Sequence, residues 1–432
     1  MFSLSLIYKW LTPGIQLKRW LFLVVIGIIL IAFDLSIIIT KLIDTTSLNT
    51  ITVNWIGLIL GIIAGSSIVA LGLYKLSYNL LAPYRRYQSG HVIDVVHTHS
   101  KRTKGLKLVA VGGGTGLPSV LRGLKPYTGN ITAVVTVADD GGSSGRLRRD
   151  FGVLPPGDIR NNIAALADDE SLMTKLFQYR FNEGDLGGHA FGNLFIVALA
   201  GVSGGLEIAL PEVERVLNIQ GRVLPATLAD VNLVASVRLQ GKTNVLRVQG
   251  ESKISELEGH IEDIELNPPN AVAFNESVSA ILEADIIIIG PGSLYTSIIP
   301  NMLVKGIADA LRATTAYKVY VCNVATQPGE TSGFNVADHV LALEKHIGRG
   351  IFQVVLANNA RPVENAGKNT QYVDPAPASH EILQRYEVRY TDLTDEERPW
   401  RHDSQKLAQA ILRLNDAEKT GSNLTDPILI NG

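Results

Sequence analysis

Cysteine is nearly absent: the 432-residue chain has one, Cys322. A single thiol excludes an intrachain disulfide and a cysteine-rich metal centre, and it fits a reducing compartment. Net charge is nearly absent too. Lys and Arg number 39 and Asp and Glu 41, a formal −2 with neutral His, so there is neither the basic footprint of a nucleic-acid-binding protein nor an acidic tail. No nucleic-acid partner is expected. Internal repeats and low-complexity tracts are also lacking.

Apolar residues and glycine are plentiful. At 46% hydrophobic content with 40 glycines, the chain can bury a substantial core in one large or two ordinary domains. Trp20 to Ile39 is apolar apart from Asp34, and Trp55 to Tyr74 carries no charge, so each is long enough to cross a hydrocarbon core of ~30 Å. Residues 1–83 are read as a membrane hairpin with spans at about 20–39 and 55–74. A cleaved signal peptide fits poorly, because there are two spans and the first is too long; a buried helical hairpin of a soluble domain is the other reading. Lys9, Lys18 and Arg19 precede the first span, and Lys75, Arg85, Arg86, Lys101, Arg102 and Lys104 follow the second, whereas Lys41 in the intervening loop is balanced by Asp44. That bias puts both termini and the globular domain on the cytoplasmic side of a bacterial-type inner membrane. Gly57, Gly61 and Gly65 fall on one face, suited to close approach by the first span or by another copy in a homo-oligomer. Asp34 is read as an interfacial carboxylate near the outer end of its span. Residues 84–105 form a basic linker suited to anionic lipid.

From 106 to 414 the pattern is that of an α/β domain with a mainly parallel, Rossmann-like sheet. Its strands are predicted at Leu108–Val111, Ile131–Val137, Ala284–Ile289, Lys318–Val324 and Ile351–Leu356. Asp168 to Phe181 and Gly192 to Leu199 read as helices, the second apolar enough to be buried. Asn232 to Val248 alternates about Gln240-Gly241-Lys242 and predicts an inserted antiparallel hairpin. A helix begun by Asp403 or Ser404 closes the domain at Leu414, and 415–432 reads as a loose tail.

The chemistry sits at strand ends. LKLVAVGGGTGL, residues 106–117, sets Gly112, Gly113, Gly114, Thr115 and Gly116 between a strand and a helix, where missing Cβ atoms and a helix N-terminus suit phosphate. It is not a dinucleotide fingerprint, because the third glycine position is Leu117, and not a P-loop, because no Gly-Lys-Ser/Thr follows. A dehydrogenase is thereby disfavoured. Asp139 and Asp140 follow the next strand, then Arg146, then Asp158, Arg160 and Asn161; the carboxylates can hold Mg²⁺ and the arginines neutralise phosphate. Read as structure alone, the same aspartates are caps. His189 and Asn193 flank a glycine-rich turn and can bind a ligand hydroxyl, amide or phosphate, with His189 also an acid or base. Gly290, Gly292, Ser293 and Thr296 make a second anion nest, and Asn323 ends another strand at the same edge.

GGGTGLPSVLRGL, TVADDGGSSGRLR, LPPGDIRNN, GHAFGNL, GPGSLYTSIIPN and NVATQPGET together resemble the gluconeogenesis factor (YvcK-like) family, related to the 2-phospho-L-lactate transferases, from Leu106 to about Leu414. The resemblance implies a CofD-type fold, binding of UDP-N-acetylglucosamine, support of cell shape and wall synthesis on gluconeogenic carbon sources, and no settled reaction or covalent cofactor. From the transferase branch it implies metal-binding roles for Asp139 and Asp158. Here Pro156-Gly157-Asp158 stands where the transferases place an aspartate directly after proline. The alternative implied function is Mg²⁺-dependent transfer of a phosphoryl-containing group from a nucleotide-activated donor to an alcohol.

Overall fold

The computed structural model describes residues 17–43, 55–80, 105–167, 172–239, 241, 244–257, 259–364 and 370–420. The chain divides into two compact units, Met1–Val96 and His97–Gly432. Most of the predicted basic linker, with Arg85, Arg86, Lys101, Arg102 and Lys104, lies outside the described residues, as do Lys9, Asp44 and the tail from 421.

The first unit is a pair of helices, α1 (Leu17–Ile43) and α2 (Trp55–Leu80). Stretches of 22 residues (Arg19–Thr40) and 23 residues (Trp55–Ser77) are long and apolar enough to cross a membrane, with mean hydropathies of 3.0 and 2.3. Glycines set the pairing. A Cβ on Gly65 would stand 2.8 Å from Ile31 and 3.1 Å from the Gly27 carbonyl oxygen, and one on Gly72 would stand 2.6 Å from Val24. Gly61 faces the Asp34 carboxylate, so this glycine face serves the first helix.

The second unit is built on seven parallel strands: β1 (Leu108–Gly112), β2 (Ile131–Val135), β3 (Arg222–Pro225), β7 (Ile286–Ile289), β8 (Tyr317–Val321), β9 (Val354–Asn358) and β10 (Glu387–Thr391). Their order is β10-β9-β8-β7-β1-β2-β3. Chain order therefore runs outward in both directions from β1, and the β1/β7 junction is a topological switch point. There Val111 pairs with Ile289, so the two strands end level. Ile286 to Ile289 are fully buried, as a strand covered on both faces requires. β2 and β8 stop earlier than the apolar runs predict, Thr136 and Val137 being buried but already in the loop after β2, whereas β1 and β9 run on to Gly112 and Asn358.

Helices α3 (Leu117–Leu124), α4 (Gly142–Phe151) and α5 (Gly157–Leu166) follow the first two strands. Next come α6 (Leu172–Gln178), α7 (Phe191–Ser203) and α8 (Leu206–Val216). The predicted helix from Asp168 is shorter than expected, with 168–171 outside the described residues. α7 corrects an expectation. Only Gly192, Asn193 and Ile196 are fully buried, and Val202 is 85% exposed, because the helix packs by one face.

The expected inserted hairpin is a three-stranded antiparallel sheet, β5-β4-β6, formed by β4 (Asn232–Leu239), β5 (Val245–Gln249) and β6 (Gly259–Asn267). A short helix, α9 (Glu251–Glu256), follows β5. The last helix, α10 (Ser404–Thr420), is capped by Asp403, whose Oδ1 accepts from Lys406 N at 2.7 Å, as expected. It runs six residues past Leu414, correcting the loose tail over 415–420: Asn415 is buried and Ala417 to Lys419 favour helix. Gly123 lets the main chain at Ser404 lie directly on α3.

The hairpin packing makes a test. Gly65→Leu is expected to lower the stability of the detergent-solubilised chain by about 1–3 kcal/mol through overpacking, measured by SDS titration, whereas Ile59→Leu on the exposed face leaves it unchanged.

Candidate functional site

At the switch point, main chain meets main chain. After β1 the turn passes Gly114 at φ +63° into α3; after β7 it passes Gly290 at φ +79° and a cis Gly290–Pro291 bond into a π-helical turn, Leu294–Ile298. A Cβ on Gly116 would lie 2.6 Å from the Pro291 carbonyl oxygen, and one on Gly113 would lie 2.6 Å from Asp158 Oδ2. At these positions glycine is required for approach. Asn323 clamps the second turn, donating from Nδ2 to Gly292 O (2.8 Å) and accepting from Gly292 N (3.2 Å), and Gln327 Nε2 donates to Ser293 Oγ (2.9 Å). Asn301 Nδ2 bridges the Gly112 and Ser297 carbonyls. Thr296 is buried and donates its hydroxyl to Glu330 Oε1 at 3.1 Å, so it holds the turn from beneath. Glu330 also accepts from Tyr295 N and from Ser255 of the insertion.

Carboxylates line one side. Asp158 accepts from the Gly114 N–H, and burial, with Asp139 nearby, raises its carboxyl to about 7. Burial also raises Asp139, against hydrogen bonds from Gly141 N (2.9 Å) and the Ser144 hydroxyl. Asp139 adds to the rise at Asp158, and Mg²⁺ takes one or two carboxylates and fills its shell with water and phosphate oxygens, so the pair could hold one ion. Among the described residues no three His, Cys, Asp or Glu groups stand close enough to hold an ion jointly. Asp140 turns away to α9, where its Oδ1 accepts from Ser252 N at 2.9 Å and caps the helix.

His189 Nδ1 and Ser143 Oγ are 3.0 Å apart, and Asn193 Nδ2 donates to the same hydroxyl at 3.0 Å. Ser143 Oγ can accept from Asn193 and still share a hydrogen bond with Nδ1 in either direction, according to the imidazole tautomer. Desolvation and Arg146 lower the His189 pKa, favouring the neutral ring. Arg146 Nη2 donates to Gly187 O at 2.9 Å; Arg160 Nη2 donates to Asn161 Oδ1 at 2.6 Å while its buried Nε has no partner.

Two adjoining cavities open on the first turn. One, about 260 Å³, is lined by Thr115, Gly116, Gly292, Ser293, Asn323, Trp400, Arg401 and His402. The other, about 460 Å³, is lined by Arg122, Arg160, Asn161, Arg398 and Arg401. Thr115, Ser119, Arg401 and His402 border both. A cavity of about 510 Å³ beside Lys107, Asn130 and Arg222 lies at the opposite, amino edge of the sheet, away from the glycine turns. Sequence reasoning missed Arg398, Trp400, Arg401 and His402, although a run of cations and an aromatic just before the last helix was the available signal. It also missed Arg122, Glu251 and Glu330, whose single letters carry no pattern.

Residues 108–413 match the family described as 2-phospho-L-lactate transferase CofD. The chain belongs to the CofD family. Within it, the chain is similar to the gluconeogenesis factor of Bacillus subtilis (strain 168), 44% identical over 314 residues that cover 71% of this chain and 98% of the relative. A Nostoc sp. relative whose name carries the same term is 44% identical over 425 residues, covering 94% of this chain and 92% of its own. A crystal structure of a UPF0052 family member from Bacillus halodurans is 39% identical, with a TM-score of 0.67 over 72% of this chain and 99% of that one. The chain is thus a gluconeogenesis-factor homologue with a CofD-type α/β fold.

Two tests follow from the geometry. Gly116→Ala is expected to cost about 1–3 kcal/mol in chemical denaturation, because its Cβ meets backbone, while Gly141→Ala, whose nearest new contact is 3.4 Å, costs clearly less. Burial pushes the His402 imidazole down to about 4, with Nε2 donating to Cys322 O at 3.1 Å. The unfolded chain binds the extra proton first, so stability is full above about pH 6.5 and falls towards pH 4, by on the order of 3 kcal/mol from this group. His402→Gln is expected to flatten that part of the pH–stability curve.

Proposed function

We propose that this protein is a membrane-tethered cytoplasmic receptor for a nucleotide sugar, UDP-N-acetylglucosamine, which regulates cell shape and envelope synthesis during gluconeogenic growth. The observation that carries the reading is the pair of glycine turns facing each other at the β1/β7 switch point, where α/β folds take up phosphorylated ligands. Arg401, bordering both adjoining cavities, suits a ligand that carries its charge in the middle and neutral groups at its ends. The names of the relatives support the link to gluconeogenic growth. The two apolar helices support the tether, and the distribution of Lys and Arg around them supports the cytoplasmic side.

The Asp139–Asp158 pair favours a second reading, a Mg²⁺-dependent transferase. When bound, Mg²⁺ would stabilise negative charge on a departing phosphate. Asp139 and Asp158 would hold the ion, and neutral His189 would accept a proton from an alcohol.

Isothermal titration of the detergent-solubilised chain separates these readings. The receptor reading expects saturable binding of UDP-N-acetylglucosamine, clearly tighter than for GDP or ATP, without turnover. Equal affinity for all three nucleotides, or no binding, would sink it. Release of nucleotide in the presence of Mg²⁺, lost in Asp139→Asn, would establish the transferase.

A further inference from the structure

The cavity of about 260 Å³ beside the second glycine turn combines two chemistries. Gly292, Ser293 and Arg401 give it groups that suit phosphate, no carboxylate lines it, and the rest of its wall is neutral. Asn323 and Gln327 line it too, but their side-chain amides are spent on Gly292 and Ser293 of the turn. Two ring side chains from one short segment complete the wall: Trp400, 42% exposed, and His402, 8% exposed.

His402 is held in one tautomer. Its Nε2 lies 3.1 Å from the Cys322 carbonyl oxygen, which can only accept, so Nε2 carries the proton. Nδ1 of the neutral ring is then a lone-pair acceptor, and among the described residues nothing donates to it. Burial holds the imidazole down at about 4, so this nitrogen stays an acceptor at neutral pH. A nearly buried acceptor of fixed polarity, in the same cavity as an accessible indole, suits a flat heterocycle that has an N–H in its ring.

We infer that Trp400 and His402 form the nucleobase subsite, Trp400 stacking on the base and His402 Nδ1 accepting from a ring N–H, so that the site selects uracil, whose N3 is a donor, over cytosine, whose N3 is an acceptor. The inference deepens the receptor reading and rests on it, since phosphates at the glycine turns put the base in the adjoining cavity. An acceptor that cannot become a donor meets the cytosine lone pair with its own, and polar groups left unpaired in this way reject the wrong ligand. Packing alone would not separate two bases of the same ring size.

The test is isothermal titration of the detergent-solubilised full chain with UDP-N-acetylglucosamine, UDP, CDP and UDP methylated at N3. UDP is expected to bind at least about tenfold more tightly than CDP or the N3-methyl compound. Trp400→Ala is expected to weaken UDP and CDP alike, by about tenfold, because stacking is indifferent to the edge of the base. His402→Phe keeps a ring and removes both nitrogens, so the preference for UDP is expected to shrink to about threefold or less. A residue that only supports the fold would leave that ratio unmoved. Equal binding of UDP and CDP by the wild type, or an undiminished preference in folded His402→Phe, overturns the inference, while the receptor reading survives as long as UDP-N-acetylglucosamine binds more tightly than GDP and ATP. If His402→Phe does not fold, the wild-type preference against CDP and N3-methyl UDP decides the matter. No binding of any uridine nucleotide overturns the inference and the receptor reading together.

Discussion

Everything at the carboxyl edge of the sheet depends on two strand-to-helix turns touching without side chains between them. Gly116 faces the Pro291 carbonyl, and Gly113 leaves room for the Asp158 carboxylate to accept from the Gly114 N–H. The level ends of β1 and β7 bring the turns together, with Gly290 N donating to Val111 O at 2.8 Å just past the last pair. Polar side chains then finish what the backbone begins: Asn323 and Asn301 satisfy loop carbonyls, and Glu330 collects donors from the second turn and from the insertion. Each of these three side chains has hydrogen-bond partners, which offsets the cost of burying it, although Asn301 Oδ1 itself has none.

The same geometry sets charges of both signs beside the first turn. Asp158 accepts from the Gly114 N–H with Asp139 nearby, Arg160 acts on Asp158 to lower its carboxyl, and Arg122, Arg398 and Arg401 line the adjoining cavity with Arg160 and Asp395. His189 and His402 add no positive charge near neutral pH, since both are pushed towards the neutral form.

Legibility of these features in the sequence tracks how local each one is. The glycine turns, the strands they end and the two apolar helices are written in contiguous residues, and the structure places them as read. β6 escapes a sequence reading because Glu262, Asp263 and Glu265 interrupt its apolar positions and a bulge at Ser236/Val237 shifts its register. α7 reads as buried because apolar content reports what a helix can bury, whereas its surroundings decide what it does bury. Type and position group Asp140, Thr296 and Asn323 with the ligand-facing residues. Their bonds to Ser252, Glu330 and Gly292 arise from segments 31 to 112 residues away, which no local pattern announces. Arg398 and Arg401 escape for the converse reason: only the packing of α10 on α3 carries them to the first turn.

A structure of the full chain with UDP-N-acetylglucosamine and Mg²⁺ tests the central claim most directly. The diphosphate is predicted between Gly113–Gly116 and Gly290–Ser293, with Arg401 within hydrogen-bond reach of the ligand. A nucleotide seated instead at the amino edge, in the cavity beside Lys107 and Arg222, would contradict the account.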